Sequence, residues 1–172
     1  MERKQFWDSL KSGEFASMVK ESSKGKCLLA SKEVYHVMKP IFAETDDTER
    51  MYCIFLNCRN RIIAIEKMFE GTITQMAVYP RELIKSVINL KASSIILVHN
   101  HPSGDPSPSR EDKALTMKVA VVMTGIDVSL HDHVIVGDGY YSMADSGDIK
   151  MTMQRVNDLF SRGIGGVYNE KT

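Results

Sequence analysis

The stretch Ser93-Ser-Ile-Ile-Leu-Val-His99-Asn100-His101-Pro102-Ser103-Gly104-Asp105-Pro106-Ser107-Pro108-Ser109-Arg110-Glu111-Asp112 decides both the fold class and the chemistry. Ile95 to Val98 form a short apolar run, as a buried strand would. Residues two apart on a strand share a face, so His99 and His101 aim at one point from the strand end. A Pro-, Gly- and Ser-rich loop follows. Ser109 and Asp112 then have the spacing of a capping box at a helix start. The loop can turn that first helical turn back towards the histidines. Imidazole nitrogens are good zinc ligands and a carboxylate is a common third. Three protein ligands leave a fourth position for water, which is the catalytic pattern. Each half has a plainer account, since histidines at a strand end often only hydrogen-bond and a capping box often only caps. Together, with the loop between them, they predict a Zn2+ site of His99, His101 and Asp112. A capping Ser109 is also held rigidly enough to stabilise an oxyanion.

Outward from this stretch, the chain alternates strands and helices. Pro80 suits a first helical turn, and Leu83, Ile84, Val87 and Ile88 continue an amphipathic helix. Residues 50–57 and 61–69 predict a hairpin about the Asn57–Asn60 turn, with Thr72 to Val78 as a third strand. Ser31 is the expected N-cap of a helix bearing Val34, Val37, Met38 and Ile41, which Pro40 ends or kinks near Lys39. Downstream of the stretch, a helix from Ser109 ends at Gly125 as its C-cap. Gly137-Asp138-Gly139 joins two further strands. Two short helical turns flank Gly13, and weak helical periodicity runs from residue 150. These pieces make a mixed α/β domain over residues 26–149, with an N-terminal helical extension (1–25) and a C-terminal tail (150–172), an appendage or a partner-binding segment.

Composition bounds the partners. The 172 residues carry 22 basic and 22 acidic side chains, a formal net charge of zero. That gives no support to direct DNA binding through a broad basic surface. No run reaches the length of a membrane span, and the first residues lack the apolar core of a secretion signal. Cys27, Cys53 and Cys58 lack zinc-finger spacing, so reduced thiols in a cytoplasmic protein are expected.

The run from His99 to Asp112 resembles the JAMM motif of the JAB/MPN metalloprotease superfamily, and in its fuller form the RadC-like branch. Pro80-Arg-Glu-Leu upstream and Asp132-His133 with Tyr141-Ser142 downstream extend the resemblance over about residues 45–145. It implies a curved mixed sheet flanked by helices, similar to cytidine-deaminase-like architecture. It also implies hydrolysis of a peptide or isopeptide bond in a protein or peptide substrate by zinc-activated water, with Ser109 at the oxyanion. The family needs an upstream glutamate as general acid/base. Glu49, at the start of the first hairpin strand, is the choice, with Glu66 and Glu70 as alternatives. Members of this branch have been linked by name to DNA repair. A non-catalytic DNA-repair-associated module and a metal phosphoesterase acting on nucleic acid are the competing functions. The longer members carry a helix-hairpin-helix region, so a short, stand-alone member is expected. Asp132 is a candidate to orient a ligand histidine, and His131 and His133 are expected to share a strand face in a structural role.

Overall fold

The computed structural model describes residues 3–43, 48–71 and 80–168. Helices α1 (Arg3–Lys11), α2 (Glu14–Ser23) and α3 (Ser31–Phe42) come first. A hairpin of β1 (Arg50–Leu56) and β2 (Ile62–Glu70) follows. Then come α4 (Pro80–Leu90), β3 (Ser94–Asn100), α5 (Arg110–Thr124), β4 (Ser129–Val136), β5 (Tyr140–Ser142) and α6 (Asp148–Tyr168). The strand expected over 72–78 lies outside the described residues.

The strands form one open mixed sheet in the order β2-β1-β3-β4-β5. Among the described strands only β3 and β4 run parallel, with α5 as their crossover. The central strand β3 is buried along its whole length, as a strand covered on both faces must be. Alternation sorts the side chains into two layers. Cys53, Phe55, Ile95, Leu97 and Ile135 pack with Leu83, Val87, Val119, Met123 and Val156 of α4, α5 and α6. Tyr52, Ile54, Ile96, Val98 and Val134 pack with Ala16 of α2 and Val34, Met38 and Ile41 of α3. Each such fully buried aliphatic or aromatic side chain contributes about 1.5–3 kcal/mol. The helix over the C-terminal segment starts in this core, where Ile149 and Val156 are buried.

A bulge in β4 sets the register on which the site depends. Leu130 pairs with Ile95 but Asp132 pairs with Ile96, so His131 is an extra residue. His131 therefore lies exposed while His133 is buried on the α5 side. The expectation that they share a face fails, because one extra residue inverts the alternation.

Both ends of α3 also differ from expectation. Ala30, not Ser31, is the cap of α3. The Glu33 carboxylate accepts from the N–H groups of Leu29 (2.6 Å) and Ala30 (3.2 Å), while the Ser31 hydroxyl goes to Asp145. Pro40 does not end α3, which runs on to Phe42. Its missing N–H forgoes one helical bond, and burial of Ile41 and Phe42 holds the last turn. Gly125 is the C-cap of α5 as expected, in a right-handed conformation (φ −65°), and Asp127 (φ +57°) supplies the left-handed reversal.

The loop after β3 is laid against the end of β4. His101 N–H donates to the Val136 carbonyl (2.8 Å), and Asp138 N–H to the Gly104 carbonyl (2.8 Å). Gly104 has φ +85°, and a Cβ on Gly137 would come within 2.2 Å of the Gly104 carbonyl oxygen. Glycine at both positions is what lets the two backbones close. The loop is thus fixed at both sides, and α5 starts where its N-terminus meets the end of β3.

Candidate metal centre

Glu49, His99, His101 and Asp112 converge, each offering a ligand atom within 4.8 Å of the others. His99 Nε2 lies 2.9 Å from His101 Nε2, 3.1 Å from Asp112 Oδ1 and 3.7 Å from Glu49 Oε1. His101 Nε2 lies 3.5 Å from Asp112 Oδ2. His99 and Asp112 are fully buried, and Glu49 nearly so.

Each side chain has a local reason to be there. His99 closes β3 on the α5 side. Asp112 stands in the first turn of α5, where the helix N-terminus favours a carboxylate. Its two oxygens divide the work. Oδ2 accepts from the Ser109 backbone N–H (2.8 Å) and hydroxyl (2.6 Å), while Asp112 N–H donates to Ser109 Oγ (3.0 Å). Oδ1 faces His99 and is buried without a well-directed hydrogen bond. The capping box and the cluster therefore coexist on one carboxylate. The Ser109 hydroxyl hydrogen is given to Asp112, not to the centre.

Glu49 arrives by sheet register. Met51 pairs with His99 in the antiparallel β1–β3 ladder, so the same register carries Glu49 to the level of His101. The two other glutamates are engaged elsewhere. Glu66 accepts from the Ser86 hydroxyl of α4 (2.6 Å). Glu70 binds Arg50 Nε (3.2 Å) and Lys67.

Asn100, between the two histidines, points to the opposite face and ties down the Glu49 segment. Its Oδ1 accepts from Arg50 N–H (2.7 Å) and its Nδ2 donates to the Thr48 carbonyl (3.1 Å). Both residues flanking Glu49 are thereby clamped to β3. Asn100→Ala takes this partner from the buried Arg50 N–H and the half-buried Thr48 carbonyl. It is expected to lower stability by about 1–3 kcal/mol, measured from urea unfolding at constant m-value.

The donor set fits a cation. His101 Nδ1 lies 2.7 Å from the Asp105 carbonyl, which can only accept, so Nδ1 carries the hydrogen and Nε2 presents a lone pair. That lone pair faces another imidazole nitrogen and a carboxylate, an arrangement that repels itself unless a cation joins it. Ligands at zinc distances of about 2.0–2.2 Å in a tetrahedron stand about 3.3–3.6 Å apart, close to the separations here. The same demand acts on the protons. The hydrogen bond to Asp112 outweighs burial and raises the His101 pKa. Burial lowers that of His99 more than Asp112 raises it. Burial alone would raise Asp112, but the imidazoles of His101 and His99, wherever they take up a proton, and the Ser109 hydroxyl hold it well below the usual carboxylate range. The cluster is thus poised with an anionic carboxylate and a neutral His99.

Behind His99 stand His133, expected only in a structural role, and Thr116, which no sequence signal singled out. His133 Nε2 is 2.8 Å from His99 Nδ1, and His133 Nδ1 is 2.6 Å from Thr116 Oγ1. Thr116 lies one helical turn beyond Asp112, a spacing that could have flagged it. Asp132 does not touch a ligand. Its carboxylate accepts from His133 N–H (2.7 Å), Ser142 Oγ (2.6 Å) and Ala144 N–H (2.8 Å), which fixes the turn after β5. Burial raises its pKa in spite of these donors.

Beside His101 a cleft of about 390 Å³ is lined by Lys39, Phe42, Asn100, Pro102, Gly104 and Val136. The three cysteines are free thiols. Among the described residues, no helix is long and apolar enough to cross a membrane.

A family profile described as "RadC-like JAB domain" matches residues 28–148. Relatives carrying the name "UPF0758 protein" include one from Thiobacillus denitrificans, 44% identical over 98 residues, covering 56% of this chain and 44% of the relative. Another, from Coxiella burnetii, is 45% identical over 102 residues, covering 59% and 46%. A third, from Albidiferax ferrireducens, is 47% identical over 95 residues, covering 55% and 41%. The matched segments span less than half the length of these curated relatives. With its sheet order, its loop and its cluster of two histidines and two carboxylates, the chain belongs to the RadC-like JAB domain family.

Proposed function

We propose that the chain is a JAMM-type metallohydrolase that cleaves a peptide or isopeptide bond, with His99, His101 and Asp112 holding zinc and Glu49 moving the proton. One observation carries the proposal. Two imidazole nitrogens and a buried carboxylate oxygen converge on one point, and a second, nearly buried carboxylate stands 3.7 Å from His99 Nε2. When bound, the metal supplies a Lewis acid that lowers the pKa of water and polarises a carbonyl.

The chain's own residues do the rest. Glu49 takes the proton from the attacking water and returns it to the leaving nitrogen. Asp112, anchored by Ser109 and the helix N-terminus, stays anionic. Ser109 holds that carboxylate, and it reaches an oxyanion only by rotating its hydroxyl out of its bond to Asp112. The cleft beside His101 gives an extended protein or peptide segment a place to lie, and its Asn100 wall is continuous with the strand that carries the ligands. The cluster offers two carboxylates, whereas two-metal phosphoesterase sites usually use more, which favours amide over phosphoester hydrolysis. The three thiols suit a reducing compartment such as the cytoplasm.

The test is a mass-spectrometric screen of the zinc-loaded chain against peptide libraries and lysine isopeptide conjugates. New termini that vanish with 1,10-phenanthroline and return with added zinc are expected, at about one zinc per chain. A chain that holds zinc and yields no chelator-sensitive cleavage of either substrate type would overturn the hydrolase assignment.

A further inference from the structure

Directional hydrogen bonds run from α5 through β4 to His99, and their sense can be deduced from the acceptor at one end. Thr116 Oγ1 lies 2.6 Å from the Asp112 carbonyl oxygen. A carbonyl cannot donate, so the single hydroxyl hydrogen of Thr116 goes to it. The Met143 sulfur, 3.4 Å from the same hydroxyl, is a weaker and more distant acceptor. Thr116 Oγ1 has then only lone pairs to offer His133 Nδ1 at 2.6 Å, so His133 Nδ1 carries a hydrogen. In the neutral ring His133 Nε2 must accept. His99 Nδ1, 2.8 Å away, is the donor to it. His99 Nε2 is left with its lone pair directed at His101 and Asp112.

From this chain we infer that His133 is a positioning residue for the metal centre. It selects the His99 tautomer that presents Nε2 as a ligand, and Thr116 sets its own tautomer in turn. The inference rests on the metal assignment above and deepens it. Ligating histidines usually donate their second ring N–H to a carboxylate or carbonyl. Here the acceptor is another histidine, which could as easily have been the donor. That ambiguity is why Thr116 is needed. Every member is buried: His99 and His133 are 0% exposed, and Thr116 is 1% exposed. Water has no access to compete for the hydrogen bonds or to reverse their sense. The arrangement also ties the ligands together, because the Thr116 hydroxyl bonds the backbone of Asp112. One hydroxyl thus joins the helix turn carrying the carboxylate ligand to the strand supporting the histidine ligand.

Two measurements test the inference. Long-range proton–nitrogen NMR of the histidine rings in the metal-free chain is expected to show hydrogen on Nδ1 of both His99 and His133. Zinc affinity by chelator competition is expected to fall about 10–100-fold in His133→Leu. His133→Gln, whose side-chain oxygen can accept from His99, should restore it to within about threefold. The pair Thr116→Val and Thr116→Ser provides the same contrast should His133→Leu fail to fold. The valine variant should lose the single His133 tautomer and the serine variant keep it. Hydrogen on Nε2 of His99, or a His133→Leu affinity within twofold of the parent, would overturn the inference. A parent chain that takes up no zinc would overturn the metal assignment instead, and the ring tautomers would still decide the direction of the hydrogen bonds.

Discussion

Glu49→Gln is expected to bind zinc within a few-fold of the parent chain and to hydrolyse its substrate about 10²–10⁴-fold more slowly. Glutamine keeps the size and the hydrogen-bonding reach of the side chain, so β1 and the Asn100 clamp have no reason to move. It loses only the capacity to take up and release a proton. Glu49 is 8% exposed and sits at the rim of the cluster, 3.7 Å from His99 Nε2. Zinc stoichiometry, zinc affinity and turnover, measured on one preparation, separate the possible roles. If Glu49 were itself a ligand, affinity would fall with turnover. Unaltered turnover at full zinc occupancy would remove Glu49 from the reaction. Glu66→Gln and Glu70→Gln serve as comparisons, since these carboxylates are held by Ser86 and by Arg50 with Lys67.

Zinc should also stabilise the fold, and Asp112→Asn should abolish that response. A ligand that binds only the folded chain adds about 2.7 kcal/mol at a hundred times its Kd. For a chain of this size that raises Tm by about 5–11 °C. Asparagine at 112 can still occupy the first turn of α5, but it brings no charge to the two imidazoles. Melting curves of both chains with and without zinc make the comparison. A zinc-induced shift of equal size in both would place the ion away from Asp112.

The parts of the site close in sequence were legible from it. His99 and His101 share a face because a strand alternates, and Asp112 follows a helix cap recognisable from Ser109. The capping and ligand roles of Asp112, which look like rivals on paper, are compatible because each falls to a different oxygen. Other local signals misled. Ser31 looks like a cap, but Glu33 satisfies the same N–H groups from within the helix and leaves Ser31 for Asp145. Pro40 looks like a terminator, yet buried Ile41 and Phe42 carry the helix past it.

The chain alone therefore determined that His99, His101 and Asp112 come together, and the α/β class, because both depend on periodicity and on spacing within about twenty residues. Tertiary structure decided which glutamate joins these three residues and which group stands behind His99. Glu49 reaches the cluster because the antiparallel register sets Met51 opposite His99, a pairing between residues 48 positions apart. His133 reaches His99 because one extra residue in β4 shifts the alternation after Leu130. Neither a strand's register nor its bulges are written in its own periodicity. Both are settled by the neighbouring strand and by the layer of helices against which the sheet must bury its side chains.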